Sequence, residues 1–131
     1  METPPKPSLL VVEDEPLLRQ TFSRLLGKKY EVRIAENAEE ALNMYQPSDA
    51  VLSDINLGGG ITGLELAEQL STRNNNARIT IMSGGLFGDQ EATLLNLLKK
   101  GIVHSYVPKF EIMKIVDCIE GRLTYLPRAL Q

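Results

Sequence analysis

Short apolar runs recur five times along this chain, and each is followed by a stretch whose apolar residues have helical spacing. Such runs are typical of strands buried on both faces of a parallel sheet. They predict strands at residues 9–12, 30–34, 50–53, 78–82 and 103–107. Strands that alternate with helices imply right-handed crossovers and helices on both faces of the sheet. The chain is therefore predicted to be an open, doubly wound α/β sandwich.

Helical spacing and punctuation residues place the helices and the domain limits. Pro16 suits a first helical turn, and the apolar stripe that follows it stops at Gly27. Further helices are predicted at residues 38–45, around 64–70, at 90–100 and at 110–123. Prolines at positions 4, 5 and 7 disfavour regular structure. We therefore expect a flexible lead-in at residues 1–7, one domain at 8–123 and a tail at 124–131.

Charge, cysteine content and hydropathy exclude several classes of function. The chain has 14 basic and 17 acidic residues and no basic block, so direct nucleic-acid binding is not expected. Cys118 is the single cysteine, which leaves no internal disulfide and no cysteine-rich zinc site. No apolar run approaches the ~18 residues that span a bilayer, and the first seven residues lack the apolar core of a signal peptide. We expect a cytoplasmic protein without membrane insertion.

Polar side chains follow four of the five predicted strands. They are Glu13 and Asp14 after the first strand, Asp54 after the third, Ser83 after the fourth and Lys109 after the fifth. In such sheets the functional crevice lies beyond the carboxyl ends of the strands, so these side chains should meet at one rim. Three neighbouring carboxylates need a counter-charge, and Mg²⁺ prefers oxygen ligands while keeping positions for water and phosphate oxygens. The sequence thus predicts a Mg²⁺ site that takes a phosphorylated substrate.

The same residue types predict phosphoryl transfer to a carboxylate. A carboxylate beside such a metal can attack a phosphoryl group and form an aspartyl phosphate, and Asp54 is the candidate. Lys109 would stabilise the phosphoryl oxygens, and the Ser83 hydroxyl can donate to one of them. Taken singly, each residue has an ordinary structural interpretation as a helix cap, a surface lysine or the start of a glycine turn. Their joint placement at strand ends favours phosphoryl chemistry.

Four segments in this order resemble the response-regulator receiver domain: residues 12–15 (VEDE), 52–57 (LSDINL), 82–84 (MSG) and 106–110 (YVPKF). The resemblance implies a flavodoxin-like (βα)5 three-layer sandwich with strand order 2-1-3-4-5 and a place in a two-component phosphorelay. It implies these roles: Asp54 as phosphoacceptor and metal ligand, Asp14 as direct ligand, Glu13 as ligand through water, Asn56 as ligand through its backbone carbonyl, Ser83 as switch hydroxyl, Tyr106 as aromatic rotor and Lys109 as phosphate-binding lysine.

The resemblance also implies partners. A sensor histidine kinase or a histidine phosphotransfer protein would donate the phosphoryl group, and an effector protein or output domain would respond. The domain would not be an enzyme, since it would catalyse only its own phosphorylation and dephosphorylation. Leucines on more than one face of residues 90–100 add the hypothesis of a homodimer. One departure from the family is the order Pro108-Lys109, with Phe110 where the family usually has a proline that carries a cis peptide bond.

Two other classes of protein remain open on the sequence. The first is a Mg²⁺-dependent phosphohydrolase with an aspartate nucleophile, but such enzymes typically carry a second acid two residues on, where this chain has Asn56. The second is a flavin- or nucleotide-binding module on the same fold. Glu13, Asp14 and Asp54 oppose it, because they repel an anion unless a metal intervenes. His104, the single histidine, is interpreted as a passive residue of a loop or a strand edge.

Overall fold

The computed structural model describes residues 5–47, 49–109 and 111–126, in which strands and helices alternate. The elements are β1 (Ser8–Val12), α1 (Pro16–Leu26), β2 (Glu31–Ala35), α2 (Ala38–Met44), β3 (Ala50–Asp54), α3 (Gly63–Arg73), β4 (Arg78–Ser83), α4 (Gln90–Lys99), β5 (Ser105–Pro108), a 3₁₀ turn at Ile112–Lys114 and α5 (Ile115–Ile119). All strand pairs are parallel, in the order β2-β1-β3-β4-β5. The predicted flavodoxin-like fold is confirmed.

Alternating side chains of the sheet enter two separate hydrophobic layers. Leu10, Val51 and Ile79 face the layer that contains apolar residues of α2, α3 and α4. Leu9 and Leu52 face the other layer, which is filled from α1 and α5. Because β1, β3 and β4 are covered on both faces, their sequences are mostly apolar on both faces rather than alternating between apolar and polar. The strand order reverses between β1 and β3, so the crevice expected from the topology lies beyond the carboxyl ends of these two strands.

The last helix is shorter than the apolar pattern predicts. Instead of a helix over residues 110–123, the chain forms the 3₁₀ turn and the five-residue α5, and Phe110 lies outside the described residues. Gly121 adopts a φ of 78° and donates its N–H to Cys118 O, which is the left-handed ending that glycine favours after a helix. Beyond this turn, Tyr125 N donates to Tyr106 O, so the following segment covers the free edge of β5.

The strand β5 begins at Ser105, two residues later than predicted. Val103 N bonds Leu97 O at the end of α4, and the sheet bonding starts with His104 N, which donates to Ile79 O at 2.8 Å. The Nδ1 atom of His104 accepts from Ile79 N at 3.4 Å. Burial lowers the pKa of His104, and the charge of Arg78 lowers it further. These contacts agree with a structural role for the histidine.

At the start of the fold, Pro7 O accepts from Glu31 N, while residues 1–4 lie outside the described part of the chain. The lead-in, domain and tail limits therefore stay predictions. Within the described residues no peptide bond is cis, and the bond between Lys109 and Phe110 falls outside them. No helix in this part of the chain has the length and hydropathy needed to cross a bilayer.

A buried ion pair joins β2 to the start of β3, and it supports a stability prediction. The Asp49 side chain is fully buried and bonds the partly exposed guanidinium of Arg33, which also donates to Met44 O at 2.8 Å. We expect Arg33→Met to lower the free energy of unfolding by about 2 kcal/mol, because a buried carboxylate loses its counter-ion. Urea unfolding measures the loss.

The matched control is Lys29→Met, which removes an ion pair on the surface. Lys29 Nζ lies 2.6 Å from Glu120 Oε1, and the lysine side chain is 52% exposed. Water and salt screen this pair, so the expected loss is below about 1 kcal/mol. A loss at Arg33 no larger than that at Lys29 would show that the buried pair contributes nothing special.

Candidate functional site

Three carboxylates from two neighbouring strands meet at the predicted crevice. Glu13 and Asp14 directly follow β1, and Asp54 ends β3. The parallel register pairs Val12 with Ser53, so Glu13 and Asp54, the next residues along the two paired segments, come side by side. One oxygen atom from each of the three acids lies within 4.8 Å of the other two. Glu13 and Asp54 are buried and Asp14 is exposed, so the cluster opens to solvent on one side.

Lys109 supplies the positive charge inside this cluster. Its Nζ atom lies 2.7 Å from Asp54 Oδ2 and 3.2 Å from Glu13 Oε1. Its backbone N–H donates to Ser83 O at 2.8 Å, which ties the residue to the end of β4. Burial lowers the pKa of Lys109, but the hydrogen bond and the charge of Asp54 outweigh it, and the net pKa is raised. The lysine is therefore a cation that contacts two of the three acids.

Glu13 has an oxygen atom that the surrounding protein does not satisfy. Its Oε1 accepts from Lys109 and from the backbone N–H of Glu15, while its buried Oε2 has no hydrogen-bond partner among the described residues. Burial, followed by the charge of Asp54, raises the pKa of Glu13 to about 7 although Lys109 opposes this. A buried, unsatisfied carboxylate oxygen is costly. The oxygen-only donor set and this open acceptor fit a hard cation such as Mg²⁺.

The position of the two acids after β1 depends on a residue that the sequence reasoning missed. Arg19, in α1, donates to the backbone oxygens of Glu13 at 3.2 Å and Asp14 at 2.9 Å. It also pairs with Glu36 at 3.5 Å. The arginine thus binds the backbone carbonyls of the acidic loop and not its carboxylates, which stay available at the crevice.

Asn56 follows Asp54 by two residues and lines the same crevice. Its backbone N is 3.4 Å from Asp54 Oδ1, and its side-chain oxygen accepts from Gln90 Nε2 at 3.0 Å. Gln90 is a second residue that sequence reasoning missed. The metal-binding role of the Asn56 backbone carbonyl stays a prediction.

Ser83 and Tyr106, predicted as switch hydroxyl and aromatic rotor, are in direct contact. Ser83 Oγ lies 3.1 Å from Tyr106 OH, and either atom can be the donor. The tyrosine ring is turned inward, with 7% of the residue exposed. Its backbone is bonded on the outer edge by Thr124 Oγ1 and Tyr125 N. The structure brings the pair together, and the switching role stays a prediction.

An open cleft of about 490 Å³ lies at the carboxyl ends of β1, β3, β4 and β5. Its lining includes Asp14, Asp54, Asn56 and Lys109, together with the apolar Leu18, Phe87 and Ile112. A groove of about 570 Å³ beside α1 and β2 is larger, but it contains neither Asp54 nor Lys109. Of the two, only the smaller cleft gives access to the acid cluster.

Residues 9–120 match the family of the response regulator receiver domain. The match covers most of the sequence, and the strand order and the acidic crevice agree with it. The chain belongs to this family of two-component signalling domains. The resemblance inferred from four short segments is thereby confirmed.

Individual relatives share parts of the chain. The transcriptional regulatory protein AruR of Pseudomonas aeruginosa is 38% identical over an alignment of 76 residues, and the match covers 52% of this chain and 31% of AruR. The present chain thus matches less than a third of that regulator's length. Among solved structures, response regulator TrrA of Thermotoga maritima is 29% identical with a TM-score of 0.71, covering 88% of this chain and 98% of TrrA. That crystal contains TrrA in complex with Mg²⁺ and BeF.

The non-phosphorylated receiver domain of HemR from Leptospira biflexa is a second structural relative. It is 28% identical with a TM-score of 0.75, and the match covers 92% of this chain and 98% of that domain. The likeness extends over nearly the whole of both chains.

Proposed function

We propose that this chain is the phosphoacceptor of a two-component phosphorelay and that Asp54 takes the phosphoryl group from a phosphohistidine of a sensor kinase or histidine phosphotransfer protein. The observation that carries the proposal is the 2.7 Å contact between Asp54 Oδ2 and Lys109 Nζ at the centre of the acid cluster. A nucleophilic carboxylate, a cation for the phosphoryl oxygens and a set of metal-binding oxygens are thus within reach of one another.

Each residue of the cluster has a separate task in this proposal. Glu13, Asp14, Asp54 and the backbone carbonyl of Asn56 would hold Mg²⁺, which when bound neutralises the carboxylates and the phosphoryl oxygens. A carboxylate oxygen of Asp54 forms the bond to phosphorus while the phosphorus–nitrogen bond of the donor breaks and its electron pair stays on the imidazole. Lys109 Nζ moves from the carboxylate to the phosphoryl oxygens, a short shift for a flexible side chain.

Ser83 and Tyr106 can report the phosphoryl group because a hydroxyl has a single proton. In the present contact either residue can donate to the other. Once Ser83 donates to a phosphoryl oxygen, it can only accept from Tyr106, so the hydrogen bond acquires one direction and the inward tyrosine is favoured. The phosphoryl group can shift the equilibrium between the two positions of Tyr106 only by the difference in its interaction with them.

The proposed output surface includes α4 and the neighbouring β5. Leu94 and Leu97 are buried against the sheet, while Leu95 lines a surface groove of about 440 Å³ together with Ala92 and Lys99. This groove is available for an effector, an output domain or a second copy of the chain. We also propose that the protein works in the cytoplasm and catalyses only its own phosphorylation and dephosphorylation.

A ligand-binding experiment tests the proposed site. Mg²⁺ should raise the melting temperature of the wild-type protein, and beryllium fluoride, a phosphoryl mimic, should raise it further. At about 100 times the dissociation constant a ligand stabilises the native state by about 2.7 kcal/mol. Asp54→Asn and Asp14→Asn should lose these gains, because each removes a carboxylate from the cluster.

Glu68→Gln is the matched control, because it removes an exposed acid on α3 and should keep the full response. Absence of any stabilisation in the wild type, or an undiminished response in Asp54→Asn, would contradict the proposed site.

A further inference from the structure

Gln90 connects two loops across one side of the cleft. It is the first residue of α4, and its Oε1 accepts from the backbone N–H of Phe87 at 2.9 Å. Its Nε2 donates to Asn56 Oδ1 at 3.0 Å. The side chain thereby joins the loop that follows β3 to the loop that follows β4, and both loops line the cleft beside Asp54.

The donor at Phe87 determines how both side-chain amides are oriented. A backbone N–H can only donate, so Gln90 must turn its oxygen toward Phe87 and its NH₂ group toward Asn56. An NH₂ group cannot accept, so Asn56 must present its oxygen to Gln90. The NH₂ group of Asn56 is then the end of the amide that remains for the cleft. This orientation follows from the chain of hydrogen bonds that begins at the Phe87 N–H, and it does not depend on telling oxygen from nitrogen in either amide alone.

The position of Asn56 makes this orientation relevant to the chemistry of Asp54. The residue lines the cleft, and its backbone N lies 3.4 Å from Asp54 Oδ1. A phosphoryl group on Asp54 would therefore have the Asn56 side chain beside it. Whether a donor or an acceptor faces that group decides how the side chain interacts with its negative oxygens and with an approaching water molecule.

We propose that Gln90 is a positioning residue that keeps the NH₂ group of Asn56 toward the phosphoryl group and thereby prolongs the life of the aspartyl phosphate. This inference rests on the proposed function of Asp54. It adds a role for a residue outside the acid cluster, which acts only through Asn56.

The effect follows from the steps of hydrolysis. The water oxygen bonds to phosphorus, the bond from phosphorus to the Asp54 oxygen breaks, and its electron pair stays on the Asp54 carboxylate. Both water protons leave on the phosphate as dihydrogen phosphate. An acceptor at Asn56 would take a hydrogen bond from the water and turn a lone pair toward phosphorus. The Asn56 NH₂ group, a donor, instead binds the phosphoryl oxygens or occupies the lone pair of the water that would attack phosphorus. Hydrolysis is therefore slower.

Gln90→Glu reverses the amide with almost no change in size. One carboxylate oxygen still accepts from Phe87 N–H, but the other can only accept, so Asn56 must turn its NH₂ group toward it and its oxygen toward the cleft. We expect dephosphorylation to become roughly three- to five-fold faster, the range that one hydrogen bond supports. Intact mass spectrometry after removal of acetyl phosphate gives the rate. An acid in the first turn of α4 is favourable, so stability should be kept.

Two further variants separate the amide orientation from the added charge. Gln90→Met removes both hydrogen bonds without a charge, and we expect a rate between those of the wild type and Gln90→Glu. In an Asn56→Ala background Gln90→Glu should have no effect, because there is no amide to turn. The Asn56 backbone carbonyl, the proposed metal ligand, is kept in that background.

An unchanged or slower rate in Gln90→Glu would overturn the inference while leaving the function of Asp54 intact. The same acceleration in the Asn56→Ala background would also overturn it, because the charge alone would then act. A wild-type chain that takes up no phosphoryl group would overturn both this inference and the proposed function.

Discussion

Gly63→Ala is expected to lower the free energy of unfolding by about 3 kcal/mol and to slow the phosphorylation of Asp54. A Cβ atom at position 63 would lie 2.0 Å from Asp54 O and 2.9 Å from Ser53 Oγ. The backbone N of Gly63 also donates to Ile55 O at 2.7 Å, so the loop from β3 closes tightly on its own start. Backbone atoms cannot rotate away as a side chain can, so the added methyl group must displace the strand end.

Urea unfolding and the initial rate of phosphorylation by acetyl phosphate measure the two effects. Gly60→Ala is the control in the same loop, because a Cβ there meets no atom within 4 Å and its φ is outside the left-handed region. We expect that variant to stay within about 0.5 kcal/mol of the wild type. Equal losses at positions 60 and 63 would show that the close approach to Asp54 does not limit the fold.

Lys109→Met is expected to change two affinities in opposite directions: tighter binding of Mg²⁺ and weaker binding of beryllium fluoride in the presence of Mg²⁺. Lys109 Nζ contacts Asp54 and Glu13, so its charge competes with a metal ion for the same carboxylates. The same charge attracts the anionic phosphoryl mimic. An interaction of charges at about 4 Å is worth up to about 4 kcal/mol at an effective dielectric constant near 20. Changes of roughly tenfold in each affinity are therefore expected.

Isothermal titration calorimetry measures both affinities on the same preparations. Lys114→Met removes an exposed lysine from the 3₁₀ turn and should leave both unchanged, because solvent screens its charge. If both affinities fell together in Lys109→Met, the lysine would be needed to shape the site, and the competition between charges would be refuted.

The strand ends and their polar residues could be predicted because burial leaves a clear pattern. A strand covered on both faces is mostly apolar, so Asp54 and Ser83 are conspicuous where β3 and β4 end. Parallel strands then bring these ends to one rim without further information. The contact of Lys109 with Asp54 follows from the same argument, since β5 is the neighbour of β4.

The side-chain bridges between elements could not be predicted in this way. Gln90 bonds Asn56 across 34 positions of sequence, and Arg19 reaches back from α1 to the carbonyls of the acidic loop. Neither contact leaves a periodic signal, because each depends on where two loops pass in space. Only the geometry shows that these residues hold members of the predicted site.

The length of the last helix was overestimated because its apolar pattern continues after the helix has ended. Leu123 packs against the core although the chain has already turned at Gly121. Burial, not helical structure, explains the apolar residue there. The glycine gave a local signal for the end of the helix, and it was outweighed by the periodicity.

Intact mass after incubation with acetyl phosphate and Mg²⁺ tests the central claim most directly. We predict that the wild type gains the mass of one phosphoryl group and that Asp54→Asn gains none. Chelation of Mg²⁺ should also prevent the gain, and Asp89→Asn, which alters an acid outside the cleft lining, should not. A wild type without a mass gain, or a gain that persists in Asp54→Asn, would contradict the assignment of Asp54 as the phosphoryl acceptor.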